Sequence, residues 1–138
     1  MNAYFDSSVF LRLVLGEPGK LPAWQDYDLR ITSDLAEVEC LRTLDRLRIR
    51  HGLSQEEIAN RREALYILLE TTERIEICRS ILNRASQTFP VELGTLDAIH
   101  LSTALVWRDE QESELVFATH DKTLALAARS LGFKAAGA

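Results

Sequence analysis

The chain repeats one rhythm: a short apolar run, then an amphipathic helix, with the clearest runs stopping against an acid. Residues 2–6 form a short apolar strand that ends in Asp6. Leu115-Val116-Phe117-Ala118-Thr119 is the strongest strand in the chain, and it also ends against an acid, Asp121. Short apolar strands alternating with helices build an α/β domain with a mainly parallel sheet, here of four to five strands. In such sheets ligands bind outside the carboxyl ends of the strands. The rhythm therefore places Asp6 and Asp121 on the edge where a site forms.

Between these runs the elements follow in order. Ser7 and Ser8 cap a helix over Val9–Leu15, which Gly16, Pro18 and Gly19 break. Residues 20–28 are a polar connection with a helical turn near Trp24, and Leu29–Thr32 is a strand. Ser33 or Asp34 opens a helix to about Arg50, with Leu35, Val38, Leu41, Leu44 and Leu47 inward and His51-Gly52 closing it. Ser54-Gln55-Glu56-Glu57 is a capping box for a helix through about Leu69, with Ile58, Leu65, Leu68 and Leu69 inward. Ile75–Cys78 alternates as a strand, and Ile81–Phe89 is a short helix ended by Pro90. Leu124–Leu131 is a helix with Gly132 just past its end, and Phe133–Ala136 is a short last strand. No repeat or low-complexity tract interrupts the chain, and 138 residues suit one domain, 1–138, with a single core.

A third acid reaches the same edge by another route. A helix of about Leu96–Asp109 opens just after Gly94, with Thr95 or Leu96 at its cap and Asp97 in its first turn. A carboxylate there faces the positive end of the helix dipole, which favours its ionised form. Spacings of three and four put Asp97, His100, Leu101 and Ala104 on one side. Helices that follow strands begin on the carboxyl edge, so Asp97 joins Asp6 and Asp121. The fourth acid is chosen between Glu37 and Glu39, which sit two residues apart and point to nearly opposite sides. With Asp34 as the cap, Glu37 completes a capping box. Glu39 has no such local duty, although Arg42 and Arg46 can pair with it on the helix surface. Glu39 is therefore the candidate.

Four clustered carboxylates suit a hard cation, Mg²⁺ or Mn²⁺, with water completing the coordination. The chemistry implied is metal-assisted hydrolysis of a phosphodiester. No Gly-rich phosphate loop, zinc-type Cys/His spacing or Gly-x-Ser-x-Gly elbow is present. Acids outnumber basic residues, 21 to 16, which argues against a broad basic surface that grips nucleic acid without specificity. A metal-binding acid cluster contributes to that excess, so a nucleic-acid enzyme stays open. No apolar run approaches the roughly 20 residues of a membrane span. The N-terminus has no signal-peptide pattern, and Cys40 and Cys78 read as buried small apolar residues of a reducing cytoplasm.

Tyr4-Phe5-Asp6-Ser7-Ser8, Ser33 through Glu39-Cys40-Leu41-Arg42, Leu96–Ala104 around Asp97, and Ala118–Leu124 around Asp121 fall in a familiar order and spacing. Together they resemble PIN-domain ribonucleases, above all the VapC-type toxins of type II toxin–antitoxin systems, over essentially the whole chain. The resemblance implies a PIN-like three-layer α/β/α sandwich and Mg²⁺- or Mn²⁺-dependent cleavage of RNA. It maps an acidic tetrad onto Asp6, Glu39, Asp97 and Asp121, with Ser8 and Thr119 in support. It also implies a homodimer, a cytoplasmic location and a cognate antitoxin whose C-terminal segment occupies the active groove. His120 departs from the aromatic that relatives often carry there.

Other residues have plainer readings. His100 is read as a helix-packing histidine, Arg42 as a surface ion-pair residue, and Trp24 and Trp107 as core or dimer packing. Thr119 suits a strand end as well as a site. A competing function is a catalytically inactive PIN domain serving as an RNA- or protein-binding module. Four retained acids argue against it, since a binding module has no need to hold repelling carboxylates together. A receiver-like phosphoacceptor domain would need an acid paired with Asp6 and a lysine ending the last strand. Two serines follow Asp6, and Lys134 is poorly placed.

Overall fold

Each central strand carries side chains for two cores at once. The computed structural model describes residues 1–16 and 24–137. In β1 (Ala3–Phe5), Ala3 and Phe5 point into one apolar cluster and Tyr4 into the other. In β4 (Val116–Ala118), Val116 and Ala118 share the first cluster and Phe117 the second. This is the period-two alternation of a strand buried on both faces. With β2 (Arg30–Ser33), β3 (Glu73–Ile75) and β5 (Lys134–Ala136) they form a five-stranded sheet, ordered β3-β2-β1-β4-β5, in which every pairing is parallel.

Helices cover both faces. On the Phe5 side lie α1 (Ser7–Leu15), α2 (Asp34–His51) and α3 (Gln55–Glu70), contributing Val9, Phe10, Cys40, Leu44, Leu65 and Leu69 to the first cluster. On the Tyr4 side lie α5 (Thr95–Gln111) and α6 (Lys122–Ser130), contributing Leu101, Ala104, Trp107, Leu124 and Ala128 to the second. The short α4 (Arg79–Ala85) packs along α5. The result is the expected three-layer α/β/α arrangement. The chain leaves β1 toward β2 on one side and returns to β4 on the other, so the strand order reverses beside β1. Such a reversal opens a crevice at the carboxyl edge.

Local chemistry explains where elements stop and where the sequence reading missed. Gly16 and Gly52 take left-handed backbone, φ 67° and 63°, at the ends of α1 and α2, which glycine adopts without a Cβ penalty. Asp6 caps α1, its carboxylate accepting the Ser8 N–H, so the expected Ser7/Ser8 cap is one residue late. Ser33 caps α2. The buried stripe of α2 is Ala36, Cys40 and Leu44, whereas Val38, two residues off that stripe, is 57% exposed. At α3 the Ser54 hydroxyl accepts the Glu57 N–H, as a capping box requires, but the Glu57 carboxylate returns to the hydroxyl itself.

The third strand ends at Ile75, not Cys78, because β2 offers it partners only as far as Ser33, where α2 begins. Cys78 is consequently exposed at the start of α4, while Cys40 is buried as expected. The fourth helix ends at Ala85, where the Ser86 hydroxyl takes the Leu82 carbonyl, well before Pro90. Trp24 lies in a single 3-10 turn, Trp24–Asp26, and packs on Phe5 and Phe10 with ring centroids 4.5 and 5.5 Å apart. Pro18, Gly19 and Pro22 lie outside the described residues.

Phe5 is fully buried between α1 and the Trp24 turn, immediately before Asp6. Its truncation to alanine leaves a cavity at the head of the first core. Phe5→Ala is expected to lower the unfolding free energy by about 3–5 kcal/mol in urea denaturation. A loss below about 1 kcal/mol would mean that β1 does not anchor this core.

Candidate active site at the carboxyl edge of the sheet

Asp6 is carried past the end of β1, still in the ladder through its N–H to the Ala118 carbonyl, 3.2 Å. Its carboxylate is 5% exposed. Burying an ion costs several kcal/mol unless hydrogen bonds replace its water. The Ser8 N–H and hydroxyl donate to Oδ1, and the Thr119 hydroxyl donates to Oδ2 at 2.5 Å. Thr119 also accepts the Asp121 N–H at 3.0 Å, and Ser8 accepts the His120 N–H at 2.9 Å. These bonds clip the turn after β4 to the start of α1. Ser8, two residues on in α1, and Thr119, just past β4, thus both bond the Asp6 carboxylate directly.

Asp121 follows one turn on and caps α6 through the Leu124 N–H, 2.9 Å. Asp97 lies in the first turn of α5, whose cap is Gly94 with no side-chain bond, rather than Thr95 or Leu96. No described residue donates a hydrogen bond to the Asp97 carboxylate. Burial, followed by the negative charges of Asp121, Asp6 and Glu39, pushes its pKa up. The Asp6 pKa is also raised, by burial, against the pull of Ser8 and Thr119.

Glu39 reaches the rim from α2. Glu37 leaves in the other direction to pair with Arg74 of β3 at 2.7 Å, so its task is an ion pair rather than the expected capping box. Arg42 and Arg46 turn to Asp45 and Thr43 and leave Glu39 alone. Glu39 Oε1 instead accepts the Ser7 hydroxyl at 2.6 Å and meets His100 Nε2 at 2.5 Å. Burial acts to raise the Glu39 pKa, but the hydrogen bond and electrostatic pull of His100, with the Ser7 hydroxyl, outweigh it and lower the pKa.

His100 is therefore more than a packing histidine. It is buried, and its Nδ1 lies 2.6 Å from the Tyr4 hydroxyl, whose own pKa burial raises well above the ordinary phenol value. Sequence reasoning placed His100 one turn beyond Asp97 but had no means of pairing it with α2. The one available signal was the Asp97/His100 spacing itself. His120 sits at the rim with Nδ1 on the Gly137 carbonyl at 2.7 Å.

Two open grooves flank these acids and share Leu11 and Thr43. One is lined by Ser8, Arg12, His120 and Asp121, the other by Ser7, Glu39, Val38, Arg42, Arg46 and Leu96. A more enclosed cavity, around Met1, Arg108, Leu115 and Lys134, lies at the opposite, amino edge of the sheet, away from the four acids.

The donor set fits a hydrated hard cation. Among the described residues no three His, Cys, Asp or Glu side chains converge into a ready-made cage. Mg²⁺ does not ask for one: it is held by one or two carboxylates and keeps several waters. Among the described residues none donates to the Asp97 carboxylate, which sits amid like charges, or to Glu39 Oε2, since the Ser7 and His100 bonds both fall on Oε1.

An all-parallel α/β/α sheet with acids at the edge where its strand order reverses is the arrangement of a PIN-like fold. The sequence model for the PIN domain matches residues 3–130, and the chain belongs to that family. It is 35% identical over 105 residues to Ribonuclease VapC46 of Mycobacterium tuberculosis, covering 73% of this chain and 72% of the relative. It is 27% identical over 132 residues to Ribonuclease VapC47 of the same species, covering 94% and 92%. Among solved structures it superposes on PAE2754 from Pyrobaculum aerophilum with a TM-score of 0.60 at 17% identity, covering 98% of this chain and 89% of the other. Mycobacterium tuberculosis VapC20, a toxin that cleaves the sarcin-ricin loop, gives 0.58 at 16%, covering 96% of each chain. The expected resemblance to VapC-type PIN ribonucleases is borne out.

The raised carboxyl pKa values have a consequence for stability. The native state holds the Asp6 and Asp97 protons to higher pH than the unfolded chain does. Stability therefore falls as pH rises from the unfolded carboxyl range through the higher native values. Asp97→Asn removes the ionisable member that lacks donors. In EDTA at pH 7 the variant is expected to melt at a higher temperature than wild type, and the gap is expected to close as the pH falls and Asp97 protonates. A lower melting temperature for the variant at every pH would contradict mutual repulsion at this rim.

Proposed function

We propose that the protein is a metal-dependent endoribonuclease toxin, with Asp6, Glu39, Asp97 and Asp121 as its acidic tetrad and Mg²⁺ or Mn²⁺ as its cation. The single observation that carries the reading is the Asp97 carboxylate, semi-buried, without a hydrogen-bond donor among the described residues and within electrostatic reach of three other acids. Membership of the PIN family and likeness to two proteins named ribonucleases support RNA as the substrate.

When bound, the cation supplies a water of lowered pKa and a Lewis acid for a phosphodiester oxygen. The protein's part is placement. Ser8 and Thr119 fix Asp6 and favour its ionised form against burial, and Asp97 and the Oε2 of Glu39 accept no bond from a described residue. Asp121 adds negative charge from the α6 cap. Arg12, Arg42 and Arg46 along the grooves offer positive charge to the phosphates on either side of the cut.

A cognate antitoxin and a homodimer belong to the same reading. The groove beside Glu39 exposes Val38 and Leu96, 57% and 48%, next to two arginines, a surface suited to an amphipathic segment with acidic residues. Among the described residues no helix is long and apolar enough to cross a membrane.

Wild type and Asp97→Asn, each freed of antitoxin, are compared on total cellular RNA with Mg²⁺, Mn²⁺ or EDTA. Wild type is expected to cut RNA with either metal and to stop in EDTA. Asp97→Asn is expected to lose at least about 100-fold in rate, equivalent to about 2.7 kcal/mol of barrier. Equal cleavage by both proteins would remove Asp97 from the site. A folded wild type that cuts nothing with either metal would make the chain a binding module.

A further inference from the structure

We propose that His100 is a positioning residue that aims Glu39, and that Tyr4 holds the His100 ring for that task. The inference rests on the acidic-tetrad reading and extends it to the residues behind the tetrad.

Glu39 and His100 belong to different layers. Cys40, next to Glu39, packs in the cluster on the Phe5 face, and Leu101, next to His100, packs in the cluster on the Tyr4 face. The two side chains meet beyond the end of β1, where Ser7 joins them. The contact therefore ties together the helices on the two faces of the sheet at the rim that carries the acids.

Its hydrogen pattern is directional. An ionised carboxylate has only lone pairs, so the hydrogen between Glu39 and His100 belongs to Nε2. Nδ1 faces the Tyr4 hydroxyl, which can donate to it in the neutral ring and accept from it in the charged one. Tyr4 is fully buried and stacked on Phe117 with centroids 5.3 Å apart, so its hydroxyl is fixed by the sheet. The chain of bonds runs from the rigid strand β1, through the ring, to Oε1. With Oε1 holding both Ser7 and His100, Glu39 is left to present Oε2 alone.

A glutamate without this anchor has three side-chain torsions to order when it takes a ligand. The His100–Tyr4 pair removes that freedom in advance. Partners that orient a metal-binding side chain in this way typically affect metal affinity by about 10–100-fold when lost.

Two isosteres separate positioning from packing. Glutamine at 100 sets its amide nitrogen near the place of Nε2 and can still donate to Glu39. Asparagine sets its amide near Nδ1 and can meet Tyr4 but cannot reach Glu39. Mn²⁺ binding to the full chain is measured by titration calorimetry for wild type, His100→Gln, His100→Asn and Asp97→Asn, with urea unfolding of each. The expected order is wild type, then His100→Gln within a few-fold, then His100→Asn weaker by about 10–100-fold. RNA cleavage should follow the same order.

Equal Mn²⁺ affinity for the Gln and Asn variants, with Asp97→Asn weakened, would overturn the positioning role and leave the tetrad standing. Wild type that neither binds Mn²⁺ nor cuts RNA would overturn the tetrad reading and this inference with it. Should His100→Asn fail to fold, Tyr4→Phe replaces it, keeping the buried ring and deleting the hydroxyl. Its Mn²⁺ affinity is expected to fall a few-fold, to about that of His100→Gln, and an affinity equal to wild type overturns the inference.

Discussion

A carboxylate buried at the end of β1 is stable only while hydroxyl groups from two separate segments point at it. Asp6 obtains them from Ser8, at the start of α1, and Thr119, after β4. The second donor arrives only because β1 and β4 pair in parallel, with Phe5 opposite Ala118. A shift of β4 by one residue would send Thr119 to the other face and leave Asp6 without it. The register in turn depends on Phe5 and Phe117 entering opposite cores. The position of the acid is thus set by apolar packing on both sides of the sheet.

The remaining acids are held with graded firmness. Asp6 is fully bonded, Glu39 is bonded at one oxygen, and Asp97 accepts no bond from a described residue. The gradient matches a site in which the scaffold fixes the innermost group and leaves the outer carboxylates for a cation and its waters. It also means that the rim opposes folding. Lost hydration and like charges raise the Asp97 pKa, and the opposing pull of His100 does not outweigh them. Such local conflict is expected where function, rather than stability, selects the residues.

Much of this was legible in the sequence. Strand–helix alternation gave the parallel sheet, and strand ends gave Asp6 and Asp121. Glu37 is occupied not by a capping box but by Arg74, a contact between residues 37 apart in the chain. Errors fell where short-range patterns carry little information. The extent of β3 depends on how far β2 continues, and the side that Val38 takes depends on its phase on α2 rather than on its hydrophobicity. From sequence His100 looks like a packing residue, because its partners, Tyr4 and Glu39, lie 96 and 61 residues away. A histidine on an apolar helix face looks alike in both roles until the facing helix is known.

The proposed chemistry requires the four acids to form a single cation site at the strand reversal. Anomalous diffraction from crystals soaked in Mn²⁺ tests it most directly. The expected result is a peak between Asp6 and Asp97, with Glu39 Oε2 directed toward it and His100 still on Oε1. A peak elsewhere on the molecule, with the Asp97 carboxylate turned to solvent, would contradict it.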